Sequence, residues 1–200
     1  MPVVVAEDPR DFFVWVPPEN PLVQHNLVRV GCFIGGPLDP ADDDPSKLPY
    51  QPNPIKHEIM LTPFHTNVMK HYAIEYELDV HRWHRDRNLP SRLHALYLLN
   101  SEYDAEQYAR SHPEHVRGRI LKVGRTAGKY RFSLHDTSWI DFLRLDHSLD
   151  RETFGSICDH YWSGTTVANR KLQSRGQPWT AEPSLEVLFY GQIDFPDRKL

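Results

Sequence analysis

An acidic residue interrupts an apolar run. In Ser184-Leu185-Glu186-Val187-Leu188-Phe189-Tyr190-Gly191 a carboxylate stands near the start of a stretch that otherwise reads as a buried strand closed by glycine. Burying a charge is expensive unless it is paired or used, so a fold that buries this strand must give Glu186 a partner or a task. The segment follows a long polar stretch that opens with Tyr161-Trp162-Ser163-Gly164. Together these point to a catalytic glutamate beside an aromatic nucleotide pocket. The alternative is a strand-edge glutamate in solvent. An uncompensated carboxylate in a cleft predicts that Glu186→Gln holds or raises stability.

The rest of the chain is long enough to build that fold around it. Two hundred residues, 40% of them hydrophobic, fit one domain with a sizeable core. A formal net charge of −4 argues against a nucleic-acid binder that works on bulk charge, while leaving room for a local basic patch. Cys32 and Cys158 are far apart and set in apolar surroundings, which favours two free thiols and a reducing compartment. Met1 to Asp8 carries neither the basic start nor the apolar length of a signal peptide, and no stretch approaches a membrane span. The reading is a cytoplasmic protein, or one delivered into a target cell without a cleavable signal, with no membrane partner.

Periodicity orders the elements. Phe12 to Val16 and Leu22 to Ile34 read as strands parted by Pro17, Pro18 and Pro21. Residues 37–56 are a proline-rich surface loop. Thr62 and Pro63 then open a long helix whose apolar stripe is Phe64, Val68, Met69, Tyr72, Tyr76, Val80 and Trp83, ended by Asn88-Leu89-Pro90. Leu93 to Leu99 reads as a central strand. Ser101 caps a helix to about Ser111, with Asp104 three residues on, and Arg117 to Gly124 reads as the next strand. Asp150 caps another helix with Phe154, Ile157, Cys158 and Tyr161 on one face. Residues 163–183 form a polar loop, and Glu186 to Tyr190 returns as a strand, extended after a bend at Gly191.

Several charged groups have two readings. Arg92, at the mouth of the apolar strand, can grip a pyrophosphate or carboxylate, or pair with Glu75 or Asp79 on the long helix. His81 and His84 have a zinc-compatible spacing, but no nearby cysteine or carboxylate completes a set, and His112 and His115 make a weaker pair. Arg110, His112, His115, Arg117, Arg119, Lys122, Arg125, Lys129 and Arg131 form a basic run with little aromatic interleaving, which reads as a solvated edge strand rather than a phosphate-binding stripe. Tyr161 and Trp162 either stack on a ligand ring or plug the core. No phosphate loop, dinucleotide fingerprint or nucleophile elbow is present.

Pro90-Ser91-Arg92-Leu93-His94-Ala95-Leu96-Tyr97-Leu98-Leu99 followed by Asp104-Ala105-Glu106-Gln107-Tyr108-Ala109 resembles a central segment of the ADP-ribosyltransferase-like superfamily. Arg119-Ile120-Leu121-Lys122-Val123 fits the strand that follows, and Glu186 to Gly191 resembles the late strand that bears the catalytic glutamate. The resemblance spans about half the chain, roughly residues 64–125 and 161–191. It departs from the superfamily where His25-Asn26-Leu27-Val28-Arg29 stands in place of an "H-G-T" or "R-G" signature, and where Ser184 stands two residues before the glutamate instead of Glu or Gln.

The resemblance implies an α+β fold: a single ADP-ribosyltransferase-like domain over residues 1–200, with a split, mostly antiparallel central sheet and flanking helices. It implies a mono-ADP-ribosyltransferase that uses NAD to modify a protein or nucleic acid, as a toxin, effector or phage-conflict enzyme. Glu186 would stabilise the oxocarbenium-like transition state. His25, Arg92, Tyr97, Tyr161 and Trp162 would bind NAD, Arg92 through its pyrophosphate. The loop 163–183 would present the acceptor, and no metal is needed. The alternatives are an NAD glycohydrolase of the same fold, or a non-catalytic domain that binds nucleic acid or protein.

Overall fold

The computed structural model describes residues 3–37, 63–145, 149–168, 170–174 and 176–199. In chain order its elements are strands β1 (Val4–Ala6) and β2 (Asp11–Val16), the short helix α1 (Pro21–Gln24) running into a π-helical segment (His25–Val30), and strand β3 (Cys32–Gly35). Then come helix α2 (Pro63–Arg85), strand β4 (Leu96–Leu98), helices α3 (Glu102–Ser111) and α4 (Pro113–Val116), and strand β5 (Ile120–Asp136). Helices α5 (Ser138–Arg144) and α6 (Arg151–Trp162), the small strands β6 (Leu172–Ser174) and β7 (Gln177–Trp179), and strand β8 (Leu185–Asp194) complete it.

Among the described residues the fold is α+β, built on a mainly antiparallel six-stranded sheet. β5 and β8 form its spine, with His135 opposite Glu186, Leu134 opposite Val187 and Phe132 opposite Phe189. β1 and β2 pair with the far side of β5, and β3 and β4 with the far side of β8. β6 and β7 form a separate hairpin.

Successive side chains of a strand point to opposite faces, so β8 serves two cores. Val187, Phe189 and Ile193 join Phe12, Phe132, Tyr130 and Leu27 on one face. Leu188 joins Leu78, Trp139, Phe142, Ile157 and Trp162 from α2, α5 and α6 on the other. Glu186 shares the parity of Leu188, which directs it toward the helices. Full burial of a side chain such as Phe189 contributes about 1.5–3 kcal/mol. Gly191 carries the bend within β8: its φ is 135°, and a Cβ there would lie 2.7 Å from Tyr130 Cβ. Both facts exclude a larger residue.

Leu22 to Ile34 is not one strand. Asn20 accepts hydrogen bonds from the N–H groups of Leu22 and Val23, and Pro21 sits in the first turn, so local capping wins over β propensity. The π-helical segment ends at Gly31, whose φ is 88°, and only Cys32–Gly35 is extended. Leu93 to Ala95 belong to a turn, leaving β4 as three residues. β5 runs on from Gly124 to Asp136 and lies inside the sheet, not at its edge. The polar loop 163–183 holds the β6–β7 hairpin. The caps on α3 and α6 form at Ser101 and Asp150. The loop 37–56 beyond residue 37, Thr62, and the side chains of Phe64, Val68 and Met69 lie outside the described residues.

Candidate active site

Arg92 follows α2 and precedes β4 in a turn stitched by backbone bonds from His94 and Ala95 N–H to Ser91 C=O. The Ser91 N–H in turn donates to the Tyr190 hydroxyl at 2.9 Å, tying this turn to β8. The Arg92 side chain therefore enters the molecule at the level of Glu186. Its Nε donates to Glu75 Oε2 at 2.6 Å and its Nη2 to Glu75 Oε1 at 3.2 Å. Its Nη1 donates to the Tyr161 hydroxyl at 2.8 Å and to Glu186 Oε1. The Tyr161 hydroxyl donates to Glu186 Oε1 at 2.7 Å. Arg144 Nη2 reaches Glu75 Oε1 at 2.8 Å.

The resulting chain Arg144–Glu75–Arg92–Glu186 alternates in charge and is largely withdrawn from water: Arg92 is 6% and Glu186 5% exposed. Of the readings of Arg92, the structure shows the pairing with Glu75 on α2, and its remaining nitrogen holds Tyr161 and Glu186 within the protein. Asp79 belongs instead to the buried Arg82, at 2.8 Å. Burial raises the Glu186 carboxyl above its ordinary value, and Arg92 and the Tyr161 hydroxyl offset only part of that. Burial acts the same way on Glu75, but Arg92 and Arg144 together outweigh it and hold Glu75 below its ordinary value. Arg92 is driven well up, its burial more than offset by the surrounding negative groups.

Behind this network His135 is completely enclosed. Its ring stacks on Tyr161 at 4.6 Å, and it sits 2.8 Å from Tyr161 C=O through Nδ1 and 2.7 Å from Ser133 Oγ through Nε2. A carbonyl accepts only, so Nδ1 carries the proton and Nε2 accepts from Ser133. Burial lowers the imidazole pKa to about 3, so His135 is neutral.

The network opens onto a cleft of about 360 Å³. Trp15, Tyr97 and Tyr108 offer aromatic surface to it, and His112, His115, Arg119 and Arg144 offer donors. Thr137, at the N-cap of α5, and Ile140, Asp141 and Arg144 on the helix recur at helical spacing and line the cleft. The His112 ring stacks on those of Tyr108 and His115, with centroid distances of 4.5 and 5.5 Å, and the Tyr108 hydroxyl lies 3.1 Å from His115 Nδ1. Its Nε2 lies 2.8 Å from Asp141 Oδ2 and its Nδ1 3.0 Å from Ser111 Oγ. A cleft with a buried carboxylate, a carboxylate-held imidazole, aromatic faces and cations can bind a nucleotide and stabilise developing positive charge.

The structure gathers Arg92, Tyr97, Tyr161 and Glu186, leaves His25 outside the cleft lining, and packs Trp162 edge-on against Tyr161 at 4.8 Å, beneath the network. Tyr97 lines the cleft with its ring 5.0 Å from the Arg92 guanidinium, and its hydroxyl donates to the Arg92 C=O. Tyr161 is wholly buried, so it holds Glu186 by its hydroxyl and presents no face to a ligand. Trp162 is 1% exposed and donates from Nε1 to Leu78 C=O at 2.7 Å, which makes it core. His25 is exposed on the π-helical segment and does not line the cleft. His81 lies against Phe154 and His84 is exposed; among the described residues no three potential ligands group for a metal.

The basic run is dispersed: Lys122 pairs with Asp197, Arg125 with Asp11 and Arg117 with Glu114, while Arg131 packs over Tyr190. Only its members His112, His115 and Arg119 reach the cleft. Sequence reasoning missed Trp15, Tyr108, Thr137, Asp141 and Arg144 as lining residues. The i, i+3, i+4, i+7 spacing of Thr137, Ile140, Asp141 and Arg144 was the available signal. Comparison of the sequence with protein-family models and with characterised proteins finds no match.

Proposed function

We propose that the chain cleaves the nicotinamide–ribose bond of NAD and transfers ADP-ribose to a protein or nucleic-acid acceptor. The observation that carries this reading is the position of Glu186: a carboxylate buried on the central strand, fixed by Arg92 and Tyr161, at the wall of an aromatic-lined cleft. Breakage of the glycosidic bond sends its electron pair to the pyridinium nitrogen, which leaves as neutral nicotinamide. Positive charge builds on the ribose, and a preorganised carboxylate lowers the energy of that state. The attacking group forms the new bond to the same carbon and gives up a proton. His112, oriented by Asp141, is a base in the cleft that can accept it.

The same residues support hydrolysis, with water as the attacking group. They also support a purely structural network, because Glu75, Arg92, Tyr161 and Glu186 satisfy one another. Incubation of the protein with labelled NAD, with and without cell lysate, separates the three. Nicotinamide release with label on macromolecules marks a transferase, and release with free ADP-ribose marks a hydrolase. No release from a folded protein overturns both enzymatic readings.

A further inference from the structure

Asp141 fixes the tautomer of His112. Its carboxylate can only accept, and Oδ2 lies 2.8 Å from His112 Nε2, so Nε2 carries a proton. In an uncharged imidazole the other nitrogen, Nδ1, is then the acceptor, and it lies 3.0 Å from Ser111 Oγ. The Ser111 hydroxyl thus donates to the imidazole, and the imidazole to the carboxylate. A hydroxyl bonded to a base that a third group orients is the arrangement of an activated nucleophile.

The fold supports this arrangement. Ser111 ends α3 and is exposed. His112 leaves the helix with φ −128° and ψ 56°, and its ring lies back against α3, stacked on Tyr108. Ser111 Oγ also lies 3.3 Å from Ser184 Oγ, and Ser184 stands two residues before Glu186, a span of at most about 7 Å. Tyr108, one turn earlier on α3, lines the cleft together with His112 and Glu186. Burial leads the rise of the Tyr108 pKa, and Glu186 and Asp141 add to it, so this end of α3 lies in the field of both carboxylates. The competing role for Ser111 is helical, since Oγ is 3.0 Å from the Gln107 C=O. That contact calls for neither His112 nor Asp141.

We infer that Ser111 is a self-modification site, whose hydroxyl takes the ADP-ribosyl group from NAD bound in the same molecule when no other acceptor is present. This rests on the transfer reading of the cleft, and it names a hydroxyl as the acceptor class that His112 serves. The bond from ribose C1′ to the pyridinium nitrogen breaks, and its electron pair stays on nicotinamide. The bond from Ser111 Oγ to C1′ forms, and the hydroxyl proton passes to His112 Nδ1. The resulting imidazolium is paired with Asp141 until it loses a proton to solvent. The product is an O-glycoside.

Incubation of the full chain with labelled NAD and no other acceptor tests it. A single label accumulates, and fragmentation mass spectrometry places it on Ser111. Neutral hydroxylamine leaves it in place, as an O-glycoside requires and a carboxylate ester at Asp141 or Glu114 does not. The rate constant is independent of protein concentration, because donor and acceptor belong to one molecule. Ser111→Ala, at an unchanged unfolding temperature, loses the label, and Ser111→Thr retains it. His112→Asn slows labelling by about 10²-fold or more, the scale of a general base. A label on another residue overturns the site, as does a folded Ser111→Ala labelled like wild type or a rate constant that scales with protein concentration. Nicotinamide release by a wild-type chain that stays unlabelled overturns the self-modification alone. No release from the folded protein overturns the transfer reading, and the site with it.

Discussion

His135 and Glu186 face each other across the β5–β8 ladder, and Tyr161 joins them: its ring stacks on the imidazole and its hydroxyl donates to the carboxylate. One neutral and one charged group thus share an aromatic partner. Substitutions at these positions separate the chemistry from the architecture.

Glu186→Gln keeps the shape and loses the charge. Nicotinamide release should fall by about 10²–10³, the usual effect of removing one preorganised electrostatic group. ADP-ribose affinity should hold. Stability should fall by about 1–3 kcal/mol, because Arg92 loses a charged hydrogen-bond partner in a buried site. The sequence alone suggested unchanged or higher stability; the buried Arg92 left without this ion-pair partner reverses that sign. Unchanged release from the folded variant removes Glu186 from the mechanism.

Tyr161→Phe removes the hydroxyl that lowers the Glu186 pKa against burial. The carboxyl should then titrate higher still, and the acid limb of the pH–rate profile should move to higher pH. Measurement of nicotinamide release across pH in wild type and variant checks this. An acid limb that stays in place means Glu186 does not govern it.

The pH dependence of stability tests His135. It is neutral when folded, with a pKa near 3, and takes a proton when unfolded below the ordinary value of 6.5. Its contribution is therefore present above pH 6.5 and lost as pH falls toward 3. The slope approaches about 1.4 kcal/mol per pH unit within that window. Urea unfolding of wild type and His135→Asn at several pH values should show a flatter profile in the variant. Parallel profiles would count against a neutral buried imidazole.

Both cysteines are free, Cys158 buried and Cys32 half-buried. Burial pushes the Cys158 thiol up to about 12, which suppresses its reactive thiolate. A disulfide-exchange reagent should modify Cys158 slowly in the native protein and both thiols readily under denaturing, non-reducing conditions. Finding no free thiol in the denatured chain would contradict the structure.

What was legible in the sequence follows physical locality. The caps at Ser101 and Asp150, the glycine bend at Gly191 and the misfit of Glu186 in its strand are local signals, and each has its structural counterpart. The pairing of Arg92 with Glu75 stood in the sequence only as one alternative, beside Asp79 and a ligand's anion, because which turn of α2 meets Arg92 is set by tertiary packing. The segment Leu22 to Ile34 misled, because its β-branched content conceals a helix set by Asn20 and Pro21. The basic run misled as to its place in the sheet, because the strands that flank β5, β1 and β2 on one side and β8 on the other, are remote in sequence. Trp162 could not be told from a ligand-facing aromatic until its indole N–H was seen on Leu78.

The place of β8 in the sheet bears on how the protein is made. It is the last described strand in chain order, yet it lies between β5 on one side and β3 and β4 on the other. Until it arrives, those strands have no common neighbour and Arg92 has no Glu186. A growing chain halted before Leu185 therefore holds two open sheet edges and an unfinished buried ion pair, states prone to misassociation. Ribosome-tethered chains ending there should remain protease-sensitive, and resistance should appear only once the strand through Asp194 has emerged. Among the described elements, the cleft is thus complete only once β8 has been made.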